Sequence, residues 1–223
     1  SFYGSHIINC AGNGGALAIN DEKVMARAKL LRSWGRSSSL YDEQSEAIEN
    51  RFDVELDGID YDAKFVFETV GYNLEGNEVG AAFGLAQLKK LNKNIETRQI
   101  NFQRQCNFFL KHSDYFINPI ETSSCETAWL AFPLLIKDSA PFNRKEMQIF
   151  LENKNIQTRV VFTGNILRQP MCKGMNYRVI AGGCPNADRI MKLGILLPLH
   201  HGLTEEMFNR FHSSIDEFIA EFG

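Results

Sequence analysis

Residues 1–19 read SFYGSHIINCAGNGGALAI, and the folding of this stretch decides what the chain is. Two short apolar runs, 6–10 and 15–19, flank a glycine-rich turn. They are too short and too glycine-bounded for helices and predict two strands of a buried sheet. Asn20-Asp21-Glu22 then supplies a cap and a first-turn carboxylate for a helix with Val24, Ala28 and Leu31 on one face, ending near Gly35. This order, strand then turn then helix, puts Ser1 and His6 at the carboxyl edge of a sheet, where α/β proteins bind ligands. A histidine alone is most often structural. A hydroxyl and an imidazole five residues apart beside such a turn make a site-like arrangement.

Outward from this segment, residues 36–69 are polar and irregular, which predicts a contact-making loop. Asn77 to Leu91 predicts a helix with one small side (Gly80, Ala81, Gly84), packed closely against another backbone, and Ile95 to Phe109 a long helix. Ala128 to Ile136 predicts a strand, Asn143 with Glu146 three residues on a capped helix, and Ile156 to Phe162 another strand. The last helix carries Met207, Phe211, Ile215, Phe218 and Phe222 on one face. This half is expected to be α+β, helices on a small antiparallel sheet, with the domain boundary near residues 95–110.

The 223 residues are 44% hydrophobic and 23% charged, with a formal net charge of −3. Positive charges are scattered, and the cluster Lys89-Lys90-Leu91-Asn92-Lys93 reads as a solvated helix end, so nucleic acid is not an expected partner. No apolar run approaches the ~20 residues that a membrane span needs, and no membrane association is expected. Five cysteines, odd in number and without a Cys-x-x-Cys pair, fit reduced thiols in the cytoplasm. Ser1 follows neither an initiator methionine nor a secretion signal, so the chain is expected to begin mid-protein.

At this point the residues resemble the DegT-type enzymes, which use pyridoxal phosphate to modify nucleotide-linked sugars. Their signature is a serine, four residues, the lysine that carries the cofactor, and a glycine-rich turn ending in Gly-Gly. Ser1 matches the serine, Gly14-Gly15 the glycines, and His6 stands where the lysine would be. Gly71-Tyr72-Asn73 with the helix from Ala81 to Leu88 is similar to a second family segment, and Leu197 to Thr204 to a third. The resemblance covers the whole chain but only the second half of a family member. It implies an α/β fold of fold type I, aspartate aminotransferase-like: residues 1–100 would be the C-terminal part of the cofactor-binding large domain, and 101–223 the small α+β domain.

Family members that replace the lysine with histidine remove the sugar's 3-hydroxyl instead of transaminating, and Gln157 to Pro170 also resembles those dehydrases. The chemistry accounts for the exchange. A histidine, with an ordinary pKa near ~6.5, serves as the base at neutral pH without recapturing the cofactor aldehyde as a lysine would. The resemblance therefore implies a pyridoxal/pyridoxamine phosphate-dependent 3-dehydrase of a nucleotide-linked 4-keto-6-deoxyhexose in dideoxysugar and polysaccharide biosynthesis, with glutamate or a similar amino donor. His6 would be the general base, and Ser1 would hold the cofactor phosphate. Asn73 would reach the phosphate of the neighbouring subunit's cofactor, which implies a homodimer. Thr163 and Asn165 would lie on the substrate side.

One branch of these dehydrases holds an iron-sulfur cluster on cysteines just after a Trp-Gly-Arg segment. Here Trp34-Gly35-Arg36 is followed by serines, and no cysteine occurs from 11 to 105, so no cluster is expected. The spacing from His6 to the paired glycines is one residue longer than the family's. Counting from Ser1 selects His6 and counting back from the glycines selects Ile7, so the extra residue would have to be absorbed in the turn at Ala11-Gly12-Asn13. Two other readings stay open: a sugar aminotransferase using another lysine, for which Lys64 is the available residue, and a catalytically inactive dimerisation module.

Overall fold

The computed structural model describes residues 1–41 and 48–223. The chain divides into two compact units, Ser1–Lys89 and Lys90–Gly223.

In the first unit the strands predicted at 6–10 and 15–19 do not form. Residues 1–14 fold back on themselves instead. The Phe2 N–H donates to the Gly14 carbonyl (2.9 Å), Gly4 N–H to Gly12 (3.2 Å), and Cys10 N–H to Phe2 (3.0 Å). Ala11, Gly12 and Gly14 take left-handed φ values of 56°, 111° and 120°. A strand exists only by pairing, and residues 15–20 have no ladder partner among the described residues, leaving Leu17 82% exposed. Helix α1 (Glu22–Arg32) is capped by Asp21, whose carboxylate accepts from Val24 N–H at 2.9 Å. Its expected apolar face is only partly realised: Ala28 and Leu31 are half-buried, Val24 exposed.

The stretch expected to be an irregular loop carries short elements. These are a 3₁₀ turn at Ser37–Leu40, α2 (Ile48–Arg51), a hairpin of β1 (Val54–Leu56) and β2 (Ile59–Tyr61), and a 3₁₀ turn at Ala63–Phe65. Residues 42–47 of that stretch lie outside the described residues. Helix α3 (Glu78–Leu88) is capped by Asn77, whose side chain accepts from Gly80 N–H at 2.6 Å. Its small side packs as the sequence predicts. A Cβ on Gly80 would lie 3.1 Å from the Cys10 carbonyl oxygen, and one on Gly84 only 2.7 Å from the Cys10 sulfur. The glycines thus let α3 brace the Ser1–Gly14 turn.

The second unit runs α4 (Leu91–Leu110), β3 (Phe116–Ile117), β4 (Phe132–Ile136), α5 (Arg144–Asn153), β5 (Arg159–Val160), α6 (Pro185–Leu193), β6 (Gly194–Leu197) and α7 (Glu205–Phe222). The strands form one antiparallel sheet in the order β3-β4-β6-β5, with Leu134 opposite Ile195. Phe132, Ile136, Ile195 and Leu197 join Phe102 and Phe109 of α4, Met147 and Leu151 of α5, and Phe211, Ile215 and Phe218 of α7 in one core. The capping box on α5 forms as predicted from Asn143 and Glu146. On α7 the expected face is corrected at one position: Met207 points out and Phe208 is buried.

Both predicted strands of this unit are shorter than expected, for a visible reason. The Trp129 and Leu130 carbonyls are taken by the Arg98 side chain, and the Thr158 N–H by the Glu152 carboxylate, so neither joins the ladder. Every buried apolar side chain among the described residues belongs to this second unit.

Candidate functional site

His6 sits in the turn that follows Tyr3, its own N–H donating to the Tyr3 carbonyl at 3.0 Å. Its Nδ1 lies 3.0 Å from the Ser1 carbonyl oxygen, and the Tyr3 ring meets it edge-on with centroids 6.2 Å apart. A carbonyl can only accept, so the proton of the neutral ring sits on Nδ1 and Nε2 keeps its lone pair. The half-buried imidazole is therefore oriented, with Nε2 as the ring atom not engaged by the Ser1 carbonyl. The Ser1 hydroxyl is exposed and accepts a long contact, 3.4 Å, from Tyr3 N–H. The structure thus joins His6 to the Ser1 backbone within a turn, not at the sheet edge that the sequence predicts, because the strand at 6–10 does not form. Left-handed Ala11 falls in the turn where the extra residue was expected.

Asn73 lies elsewhere in the same unit, with no hydrogen bond to Ser1 or His6 among the described residues. Its backbone bridges Ser33, while Tyr72 and Leu74 N–H groups donate to the carbonyls of Leu31 (2.7 Å) and Arg32 (2.9 Å) at the end of α1. The side chain of Asn73 is exposed. Glu75, two residues on, accepts from the Ser33 hydroxyl and from Arg32 Nε, fixing this crossing with side chains as well.

Thr163 and Asn165 belong to the second unit. Thr163 is exposed, and its carbonyl accepts from Gln169 Nε2 at 3.1 Å. Asn165 is buried and both ends of its amide are engaged. Nδ2 donates to Asp188 Oδ1 (2.7 Å), and Oδ1 accepts from Leu167 N–H (3.1 Å) to cap the 3₁₀ turn at Ile166–Arg168. The Arg168 guanidinium, with Asn165, holds the Asp188 carboxyl at about 2. Asn165 thereby fixes the loop that presents Thr163.

Sequence reasoning passed over a buried polar stripe on α4. Arg98, Asn101 and Gln105 fall at helical spacing among core phenylalanines, which is the signal that could have found them. Arg98 Nε donates to His201 Nδ1 (3.1 Å), Asn101 to the Leu199 and His200 carbonyls, and Gln105 to the Pro198 carbonyl (2.9 Å). Burial, then neighbouring His200 and Arg98, pushes His201 down to about 4. These side chains tie the segment after β6 to α4. Among the described residues, no group of three or more His, Cys, Asp or Glu is placed to hold a metal ion, and no helix is long and apolar enough to cross a membrane.

A sequence profile of the DegT/DnrJ/EryC1/StrS aminotransferase family matches residues 1–216. The chain is 32% identical over 222 residues to lipopolysaccharide biosynthesis protein RfbH of Salmonella typhimurium, covering 99% of this chain and 50% of that one. It is 32% identical over 223 residues to the dTDP-4-dehydro-2,6-dideoxy-D-glucose 3-dehydratase of Saccharopolyspora spinosa, covering 99% and 48%. Among solved structures, E. coli GDP-4-keto-6-deoxy-D-mannose-3-dehydratase with bound hydrated PLP aligns with a TM-score of 0.77 at 25% identity, over 96% of this chain and 52% of that one. The chain spans about half the length of the relatives it matches.

Proposed function

Because the chain belongs to the DegT/DnrJ/EryC1/StrS aminotransferase family, we propose that it serves pyridoxal-phosphate-dependent modification of nucleotide-linked sugars. Within that class the reading is a 3-dehydrase, which removes the C3 hydroxyl of a nucleotide-linked 4-keto-6-deoxyhexose. One observation carries it. His6 holds the position that a lysine occupies in the family signature, and its Nδ1–H is committed to the Ser1 carbonyl, leaving Nε2 free to take a proton. A lysine there would bind the cofactor covalently. An oriented imidazole is suited to proton transfer beside it. Relatives whose names specify 3-dehydratases support the same reading.

The residues present suit the cofactor: Ser1 offers an exposed hydroxyl and, through its carbonyl, orients the imidazole, in a turn with left-handed Gly12 and Gly14. When bound, pyridoxamine phosphate supplies the electron sink through which the C3–O bond breaks. Ser1 would hold its phosphate, and His6 Nε2 would take up the proton released from C4′ and deliver one to the departing hydroxide. Asn73, exposed on its crossing with α1, reaches the phosphate of a neighbouring subunit's cofactor, which makes the working unit a homodimer. Thr163 meets the substrate and Asn165 positions it. The unit Ser1–Lys89 corresponds to the cofactor domain expected at 1–100, and Lys90–Gly223 to the small domain expected at 101–223. Glutamate regenerates the amine form, the setting is cytoplasmic, and no iron-sulfur cluster takes part.

The test is His6→Asn, which preserves size and polarity but not basicity. Deoxygenation should fall by at least about a hundredfold, the scale of a lost general base, while the cofactor's absorbance on the protein is retained. A variant that deoxygenates at the wild-type rate would remove His6 from the mechanism.

A further inference from the structure

The turn after α1 is held more firmly than a surface turn requires. Trp34 sits at φ 59°, in the left-handed region where a bulky side chain is an outlier. Every backbone N–H from Ser33 to Ser37 has a partner. That of Trp34 donates to the Tyr72 carbonyl (2.8 Å), Gly35 to Leu30 (2.7 Å), Arg36 to Ser33 (3.1 Å) and Ser37 to Val66 (3.0 Å), while Ser33 donates to Lys29 and Leu30. Beneath the turn two backbones touch. A Cβ on Gly35 would lie 1.8 Å from the Thr69 carbonyl oxygen, and one on Gly71 2.3 Å from the Gly35 nitrogen.

A large side chain kept in a costly conformation by so many fixed contacts points to a task for that side chain. What the turn presents is an indole, 39% exposed, with the Arg36 guanidinium 4.3 Å from its ring centroid. Among the described residues that guanidinium has no ion pair and no hydrogen bond, so its charge is uncommitted. An aromatic face beside a free cation suits a planar ring that carries phosphate. The platform also adjoins Ser33, the bridge partner of Asn73.

We propose that Trp34 and Arg36 form the docking platform for the nucleoside diphosphate part of the substrate. The base lies against the indole–guanidinium stack and the diphosphate meets the guanidinium. The proposal rests on the reading of the protein as an enzyme of nucleotide-linked sugars, and it places the part of the substrate that Ser1 and His6 do not contact.

Calorimetric titration of the 223-residue chain with GDP, UDP, CDP and dTDP, and separately with pyridoxal phosphate, tests it. At least one nucleoside diphosphate should bind, and Trp34→Ala should weaken it about tenfold, the scale of one lost base–aromatic stack. Trp34→Phe should lose less, and this variant carries the test if the alanine variant fails to fold by circular dichroism. Arg36→Gln should weaken the diphosphate more than the corresponding nucleoside. The proposal is overturned if no nucleoside diphosphate binds, if the Trp34 variants bind as wild type, or if only pyridoxal phosphate binding is lost. Binding needs no turnover, so the two readings fail separately. Weakened nucleotide binding in a protein that aminates its sugar would keep the platform and remove the dehydrase.

Discussion

A single hydrogen bond orients the His6 ring. With Nδ1–H held by the Ser1 carbonyl at 3.0 Å, the ring offers Nε2. That bond uses the Ser1 backbone, so Ser1→Ala should leave the imidazole oriented. It should raise the cofactor dissociation constant about tenfold, as for one hydrogen bond to a charged group, with the rate at saturating cofactor little changed; a titration that follows both quantities checks it. That Ser1 and His6 are close in sequence was legible, but not the turn that joins them, because the expected strand at 6–10 found no partner. The surroundings of Asn165 were not: its amide is filled by Asp188, far along the chain, and nothing local in Thr163-Gly164-Asn165 announces that partner. Arg98 escaped notice similarly, because its acceptors, the Trp129 and Leu130 carbonyls, are available only because β4 starts later, at Phe132, than the predicted strand.

Among the elements, capped helices were legible throughout, whereas strands were legible only in the second unit, where β4 and β5 form inside the predicted runs. Asp21 and Asn143 each cap the helix that the sequence assigns them, because a cap is a contact across three residues; the structure adds Asn77 and Thr204 as caps of α3 and α7. The apolar runs at 6–10 and 15–19 needed partners that a local pattern cannot supply. Two glycines separate conformation from close approach. Gly35 and Gly58 both have left-handed φ, 86° and 82°, but a Cβ on Gly58 would meet nothing within 4 Å, whereas one on Gly35 would strike the Thr69 carbonyl. Gly58→Ala should cost roughly 1 kcal/mol; Gly35→Ala should cost clearly more and expose residues 69–73 to protease, as thermal melts and limited digestion would show. On α7, Phe218→Ala should cost about 3–5 kcal/mol, while Met207→Ala, at an exposed position, should be close to neutral in urea titrations.

Across the molecule, the buried apolar residues lie in Lys90–Gly223 and none in the described part of Ser1–Lys89. Amide exchange should therefore be slowest at Phe132–Ile136 and Gly194–Leu197 and fast through most of the first unit. The second unit also carries a pH response. His201 and His212 are pushed from 6.5 down to about 4, chiefly by burial, His201 further by His200 and Arg98 and His212 by Arg104. Between those values the unfolded chain binds more protons than the folded one, so stability is full above about 6.5 and falls as the pH drops toward 4. Urea midpoints across that range should show the slope, and replacing both histidines with asparagine should flatten it. None of these measurements decides the reaction. Pyridoxamine phosphate, glutamate and a panel of nucleotide-linked 4-keto-6-deoxyhexoses, with product masses as the readout, decide it. A sugar one oxygen lighter with no nitrogen gained is the predicted result; a sugar whose keto oxygen has been replaced by an amine would contradict the role given to His6.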